Sequence, residues 1–261
     1  MSGGGRNGPL RPLWLAFGFF TVLPLGAPGG LPEVAAAGYL LPLIGAVLGG
    51  LEGLVAWSSL RLFGPLPAAA ITLAAALLLT GLHHMDGLAD LGDAVMVHGG
   101  PARRLEVLKD RTLGVGAAGT LLLTYLITWA ALAQLDAALT GLRLVLSLVA
   151  IEVCARLGLM LVAAMSRPSH AGSGSAFITV LKGRPAAAGV AAALAILGLL
   201  AWPAGLALIV AAVVATNLVA AVLAAAAARL FGVANGDVLG AAVELGRMAA
   251  ALASVMAVIK L

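Results

Sequence analysis

Charged residues and cysteine are both scarce in this chain of 261 residues. Asp, Glu, Lys and Arg together make up 10% of it, whereas a soluble domain carries about 25%. The single cysteine, Cys154, excludes an intrachain disulfide and a cysteine-based zinc cluster. Hydrophobic residues make up 62% of the chain, and the mean hydropathy is +1.11. We therefore expect most of the chain to lie in a lipid bilayer.

Several uncharged apolar runs approach the length of about 20 residues that a helix needs to cross a bilayer. A shorter run at 13–23 is expected to lie at the interface or to re-enter. The fold class predicted is all-α: a single integral membrane domain, 1–261, with about seven transmembrane helices. The predicted spans are 37–57, 66–82, 113–133, 144–165, two within 186–228 divided by a turn at 202–205, and 238–259.

The sequence lacks a polar domain on which basic residues cluster, so the isoelectric point of about 9.8 does not indicate a nucleic-acid partner. With seven spans, the N-terminus and the loops 83–112, 166–185 and 229–237 lie on one side and hold most of the 15 Lys and Arg residues. The positive-inside rule places that side in the cytoplasm of a multi-pass cell-membrane protein. The opposite side carries only Arg61, Arg143 and Lys260.

The longest polar stretch, 83–112, carries the candidate active site. Asp86, Asp90 and Asp93 are spaced i, i+4 and i+7, which places them within an arc of about 60° on a helix. Three carboxylates on one face repel one another unless a cation neutralises them. Oxygen ligands favour Mg²⁺, Mn²⁺ or Ca²⁺ over zinc. His84 is near enough to act as an acid or a base, to donate a hydrogen bond to a phosphate, or to support a metal ligand. The alternative is a solvated acidic helix at the membrane surface.

The second half of that stretch predicts a mixed-charge amphipathic helix. Glu106 and Asp110 are again spaced i, i+4, so they could complete a metal site. The basic residues could hold phosphate groups. The alternative is a surface helix with internal ion pairs. The basic residues of this helix are Arg103, Arg104, Lys109 and Arg111.

Three other segments contain residues that could contact a substrate. The stretch 166–175, which contains Arg167, is rich in small hydrogen-bond donors and suits a phosphate, or it is a plain linker. Asn235 and Asp237 flank a glycine before the last helix, and a turn with Asp237 as the N-cap accounts for them. The Gly-x-Gly-x-x-Gly string at 114–119 follows no predicted strand, so close helix packing is predicted rather than dinucleotide binding. The alternative is an anion bound by the free N–H groups at that helix start.

A few charged residues fall inside the predicted spans. Glu152 and Arg156, spaced i, i+4, are predicted to pair, and Glu52 stands alone in the first span. Ions at membrane depth are often functional, so an ion-coupled transporter is one alternative, although the chain shows no inverted internal repeat. The Gly-x-x-x-Gly run at 45–53 predicts close helix packing.

The run at 79–93 resembles the hallmark of the cobalamin synthase family, the adenosylcobinamide-GDP ribazoletransferases. That family writes it as Thr-Gly-Gly-x-His-x-Asp-Gly-Leu-Ala-Asp-x-x-Asp-Gly. The similarity continues at 104–110 and 236–244, and near the N-terminus at 20–24 and 41–45.

Three positions depart from the family pattern. Where the family has Asp-Ser-Arg, this chain has Asp110-Arg111-Thr112, so the arginine is displaced by one position. The family's Gly after the third Asp is Ala94 here, and its Thr before the Gly-Asp pair is Asn235.

A CDP-alcohol phosphotransferase also holds Asp residues on membrane helices. Its Asp-Gly-x-x-Ala-Arg string is absent from this sequence.

The resemblance implies a Mg²⁺-dependent transfer in which the 3′-hydroxyl of α-ribazole, or of its 5′-phosphate, attacks the phosphorus attached to adenosylcobinamide, and GMP leaves. It implies metal ligation by Asp86, Asp90 and Asp93, supported by Glu106 and Asp110. His84 would be the base for the attacking hydroxyl, or a hydrogen-bond donor to a phosphate. Self-association into a homo-oligomer is left open. The residues implied in phosphate or substrate contacts are Arg104, Lys109, Arg111, Arg167, Asn235 and Asp237.

Overall fold

The computed structural model describes residues 8–27, 29–108, 110, 112–169 and 172–259. Within these residues the chain is helical, and its one extended contact is an isolated bridge between Pro168 and Ala234. The helices are α1 Arg11–Phe20, α2 Leu31–Ala36, a 3₁₀ turn Ala37–Leu40, α3 Leu41–Phe63, α4 Pro65–Leu79, α5 His83–Met96, α6 Pro101–Val107, α7 Val115–Ala138, α8 Gly141–Met165, α9 Ser173–Val180, α10 Arg184–Ala204, α11 Leu206–Leu230 and α12 Gly236–Ile259.

The prediction of an all-α polytopic membrane protein is confirmed. Six helical segments are long and apolar enough to cross a membrane: Leu31–Phe63, which joins α2 to α3, and then α7, α8, α10, α11 and α12. The predicted turn between the last pair of apolar runs lies where expected, because α10 ends at Ala204 and Gly205 has a φ of 113°.

The predicted span 66–82 takes a different form. α4 has 15 residues, or roughly 22 Å at 1.5 Å per residue, which is less than the hydrocarbon core. It is followed by α5 at a bend of 93°, and the pair counts as a seventh passage only if both parts are taken together. The break is a Schellman motif: Gly81 N–H donates to Leu78 and Leu82 N–H donates to Leu77.

α8 is the centre of the bundle. Its apolar window is 83% buried inside the protein, against 17% for α10, and it packs against α3, α10, α11 and α12. The predicted glycine packing is confirmed at α3, where a Cβ on Gly45 would lie 2.7 Å from the carbonyl oxygen of Glu152, and one on Gly49 would lie 2.6 Å from that of Leu148. Only glycine lets α3 and α8 approach so closely.

The polar loops meet at one end of the bundle. Ser169 N–H donates to Ala234 O at 3.0 Å and Ala234 N–H donates to Arg167 O at 2.8 Å, which joins the chain after α8 to the start of α12. α5 packs against α7 and α12 at the same end. The loops predicted to share one side therefore lie together, and the cytoplasmic assignment of that side stays a prediction.

Candidate active site

A cavity of about 440 Å³ opens at this end between α1, α5, α9 and α12. Its lining includes the polar side chains of His84, Asp86 and Asp237 and the phenylalanines of α1 and α9. This is the usual construction of a small-molecule site, in which a few polar groups stand in a largely apolar cleft.

Glycines fix α5 between α12 and α7. A Cβ on Gly87 would lie 2.9 Å from the Cα of Asp237, and one on Gly240 would lie 3.3 Å from the Cα of His84. On the other side, a Cβ on Gly116 would lie 2.6 Å from the carbonyl oxygen of Gly92. The packing role predicted for the glycines that begin α7 is thus confirmed at Gly116, and the contacts with α12 bring the start of α5 beside Asp237.

Negative charge accumulates where α5 meets α12. Burial raises the pKa of Asp90 to about 6, and the largest further contributions come from the carboxylates of Asp237 and Asp86. Neither Asp86 nor Asp90 forms an ion pair with a described residue. The two aspartates and Asp237 therefore form an acidic group that a bound cation would stabilise.

Asp93, the third aspartate of the motif, is turned toward α7. Its Oδ2 accepts a hydrogen bond from Gly114 N–H at 2.7 Å, and its Oδ1 accepts one from Ala117 N–H at 2.9 Å. A carboxylate in this position satisfies backbone donors at the start of α7 and complements the helix dipole. Both oxygens of Asp93 thus have a local structural role.

The other two predicted metal ligands lie apart from the cavity. Glu106 pairs with Arg103 at 3.0 Å on an exposed surface. Asp110 accepts hydrogen bonds from the hydroxyl and the amide of Thr112, which lower the pKa of its carboxyl. Within the described ranges, no group of three or more His, Cys, Asp or Glu side chains is arranged to hold a metal ion by itself. The predicted ligand set stays a prediction.

The basic residues predicted to contact phosphate are dispersed. Arg104 donates to three carbonyl oxygens near the end of α5, those of Ala94 at 2.7 Å, Val95 at 2.6 Å and Gly99 at 3.3 Å, so its guanidinium caps that helix. Arg167 is exposed beside the bridge at Pro168. Lys109 and Arg111 lie outside the described residues.

The turn before α12 differs from the prediction in its cap. Asn235, not Asp237, is the N-cap, because its Oδ1 accepts a hydrogen bond from Val238 N–H at 3.2 Å. Since α12 begins at Gly236, Val238 is the third helical residue, which is the one that an N-cap side chain reaches. Asp237 lies in the first turn and lines the cavity, where it accepts a hydrogen bond from Asn235 Nδ2 at 2.6 Å.

His84 is a buried histidine in the lining of the cavity. Its side chain is 7% exposed, and its Nδ1 is buried without a hydrogen-bond partner among the described residues. Burial, followed by the positive charges of Arg156 and Arg247, lowers the pKa of His84. The imidazole is therefore neutral near pH 7 and can accept a proton.

Five buried charged side chains lie together within the bundle, a feature that the sequence did not predict. Arg156 pairs with Glu152, as predicted, and Arg247 of α12 pairs with both Glu152 and Glu244. Glu52 of α3 interacts electrostatically with this group, and its Oε1 has no hydrogen-bond partner in the described part of the chain. The signal available in the sequence was that spans α3, α8 and α12 each carry charge at membrane depth.

The fold and the cavity define a polytopic helical membrane protein with an acidic site, containing a neutral histidine, at one end of the bundle. The sequence model of the family described as cobalamin-5-phosphate synthase matches residues 12–255. The chain belongs to this family, and the resemblance found in the sequence is confirmed. A match over nearly the whole chain favours this family over a CDP-alcohol phosphotransferase or an ion-coupled transporter.

Several curated relatives are named adenosylcobinamide-GDP ribazoletransferase. The protein from Halorubrum lacusprofundi is 38% identical over 93% of this chain and 95% of its own length. That from Methanocella arvoryzae is 32% identical over 92% of this chain and 94% of its own. That from Methanococcoides burtonii is 31% identical over 66% of both chains. No solved structure matches the chain.

Proposed function

We propose that this protein is an adenosylcobinamide-GDP ribazoletransferase that acts late in cobalamin biosynthesis. The single observation that carries the proposal is agreement over nearly the full length with relatives of that name. In the proposed reaction, the 3′-oxygen of α-ribazole, or of its 5′-phosphate, forms a bond to the phosphorus attached to adenosylcobinamide. The bond from that phosphorus to the bridging oxygen breaks, and GMP leaves with the bridging oxygen.

His84 is the proposed base for the attacking hydroxyl. Its neutral imidazole can take the proton that the 3′-hydroxyl loses, and it lines the same cavity as Asp86. The buried Nδ1 without a partner supports this assignment, because a buried donor or acceptor usually has one.

Mg²⁺ would be held by one or two of the carboxylates of Asp86, Asp90 and Asp237. Their crowded carboxylates, which have no ion-pair partner among the described residues, fit a hard divalent cation. Mg²⁺ usually binds one or two carboxylates together with waters and substrate phosphates, so a preformed cage of three protein ligands is not needed. When bound, the cation would neutralise the negative charge that develops on the pyrophosphate.

The active site is proposed to face the cytoplasm of a cell membrane. This rests on the excess of Lys and Arg in the loops at that end. Single cysteines introduced into a Cys154→Ser background at exposed His98 and exposed Thr140 test it. We expect a membrane-impermeant thiol reagent to label the Thr140→Cys variant in intact cells, and the His98→Cys variant only after lysis. The reverse pattern would contradict the orientation.

Reconstituted protein provides the test of the activity. In lipid nanodiscs with adenosylcobinamide-GDP, Mg²⁺, and either α-ribazole or its 5′-phosphate, we expect release of GMP and formation of the cobalamin product. The Asp86→Asn and Asp90→Asn variants should lose at least about 100-fold in rate. Glu33→Gln, which alters an exposed acid of α2, is the control and should keep the rate. Near wild-type activity in both aspartate variants would refute the proposed site.

A further inference from the structure

Aromatic residues make up 5% of the chain, which contains six phenylalanines. Three of the six line the candidate active-site cavity: Phe19 and Phe20 of α1, and Phe177 of α9. The ring centroids lie 5.0 Å apart for Phe19 and Phe20, 5.4 Å for Phe19 and Phe177, and 5.2 Å for Phe20 and Phe177. These are the spacings of aromatic rings in mutual contact.

The three rings differ in exposure. Phe20 is 8% exposed and Phe177 is 4% exposed, whereas Phe19 is 39% exposed. The two buried rings therefore support the third. Phe19 lines the cavity and is the most exposed of the three rings, so we take it as the ring that a ligand contacts.

Close backbone contacts hold both helices that carry the rings. A Cβ on Gly18 would lie 2.6 Å from the Cα of Gly26, so the chain that follows α1 folds back against it. A Cβ on Gly174 would lie 2.1 Å from the backbone nitrogen of Gly236, which joins α9 to the start of α12. Because α12 also carries Asp237, this contact fixes the position of Phe177 on α9 relative to Asp237.

We propose that Phe19, supported by Phe20 and Phe177, is a stacking site for the flat bicyclic base of a nucleoside substrate. A nucleoside has a planar apolar base at one end and a polar ribose or phosphate at the other. The cavity is lined by both kinds of group, the phenylalanine rings and the polar side chains of His84 and Asp86. Stacking on an aromatic side chain contributes about 1–3 kcal/mol per base.

This inference rests on the proposed function, in which two substrates carry such a base. The base is the benzimidazole of α-ribazole or the guanine of the GDP group. Both are bicyclic, planar and joined to ribose, so Phe19 could stack on either. Measurements with each compound alone distinguish the two sources.

The test measures binding without turnover. Equilibrium dialysis of the full-length protein in nanodiscs, with α-ribazole alone and with GMP alone, gives a Kd for each. For Phe19→Leu we expect one of the two Kd values to rise about five- to one-hundred-fold, which corresponds to the loss of stacking. Phe19→Trp keeps a ring and should bind that compound at least as well as the wild type. In turnover, the KM for the substrate carrying that base should rise in Phe19→Leu while kcat stays within about two-fold.

Phe63→Leu is the matched control, because Phe63 is 58% exposed at the end of α3 and does not line the cavity. The inference is overturned if Phe19→Leu binds both compounds as Phe63→Leu does, or if Phe19→Leu and Phe19→Trp lose binding equally. Wild-type protein that binds a nucleoside through Phe19 but never releases GMP would refute the proposed function and leave the stacking site intact. GMP release by the wild type, with Kd and KM values in Phe19→Leu equal to those of the wild type, would support the proposed function and refute the stacking site.

Discussion

Gly87 sets the distance between α5 and α12, and its replacement by alanine should impair catalysis more than stability. A Cβ at this position would lie 2.9 Å from both the Cα and the carbonyl oxygen of Asp237. Both are backbone atoms that cannot rotate away. Because ordinary contact begins at 3.4 Å, the two helices must separate by about 0.5–1 Å to admit the methyl group.

The magnitude follows from that displacement. A shift of this size moves Asp86 relative to Asp237, and a misplacement of about 1 Å can cost about 100-fold in rate. Overpacking costs about 1–3 kcal/mol in stability, and alanine recovers about 1 kcal/mol through its helix propensity. We therefore expect a rate loss of about 30- to 100-fold with a net loss of unfolding free energy below about 2 kcal/mol.

The assay is the initial rate of GMP release from reconstituted protein, measured beside a thermal unfolding scan. Gly119→Ala in α7 is the matched control, because a Cβ there would have no atom within 4 Å, and it should keep the wild-type rate and unfold at the same temperature or slightly higher. If Gly87→Ala turns over at the wild-type rate, the spacing of α5 and α12 does not control the chemistry and the reasoning fails.

Three further outcomes are expected. Glu152→Gln breaks buried ion pairs and should lower the free energy of unfolding by about 3–5 kcal/mol. The control, Glu106→Gln, breaks an exposed ion pair and should lower it by about 0.5 kcal/mol or less. Equal shifts in the unfolding midpoint of the two variants would contradict this prediction. Asp93→Asn should speed hydrogen exchange of the first amides of α7, and unchanged exchange with lost activity would mark Asp93 as a metal ligand instead. Arg104→Lys removes the guanidinium that donates hydrogen bonds to three carbonyl oxygens near the end of α5. This variant should be cleaved faster by protease near residues 97–100, with an unchanged KM for substrate. A raised KM would assign Arg104 to phosphate binding.

The sequence by itself determined the class of fold and the family. Hydropathy is a local property, so runs such as those of α8 and α12 predicted spans correctly without any knowledge of packing. The acidic motif at 79–93 is contiguous, so its resemblance to the family could be read directly. The pairing of Glu152 with Arg156 followed from helical spacing alone.

Only the tertiary structure decided which carboxylates face one another. Asp86, Asp90 and Asp93 share an arc on an ideal helix, yet Asp93 caps α7 because the chain packs α7 against that part of α5. Asp237, 147 residues after Asp90, joins the acidic group because Gly87 lets α12 approach. The same holds for the buried ion cluster, whose members come from three helices far apart in sequence. Such contacts depend on how helices pack, and packing depends on pairs of surfaces that no single stretch of sequence contains.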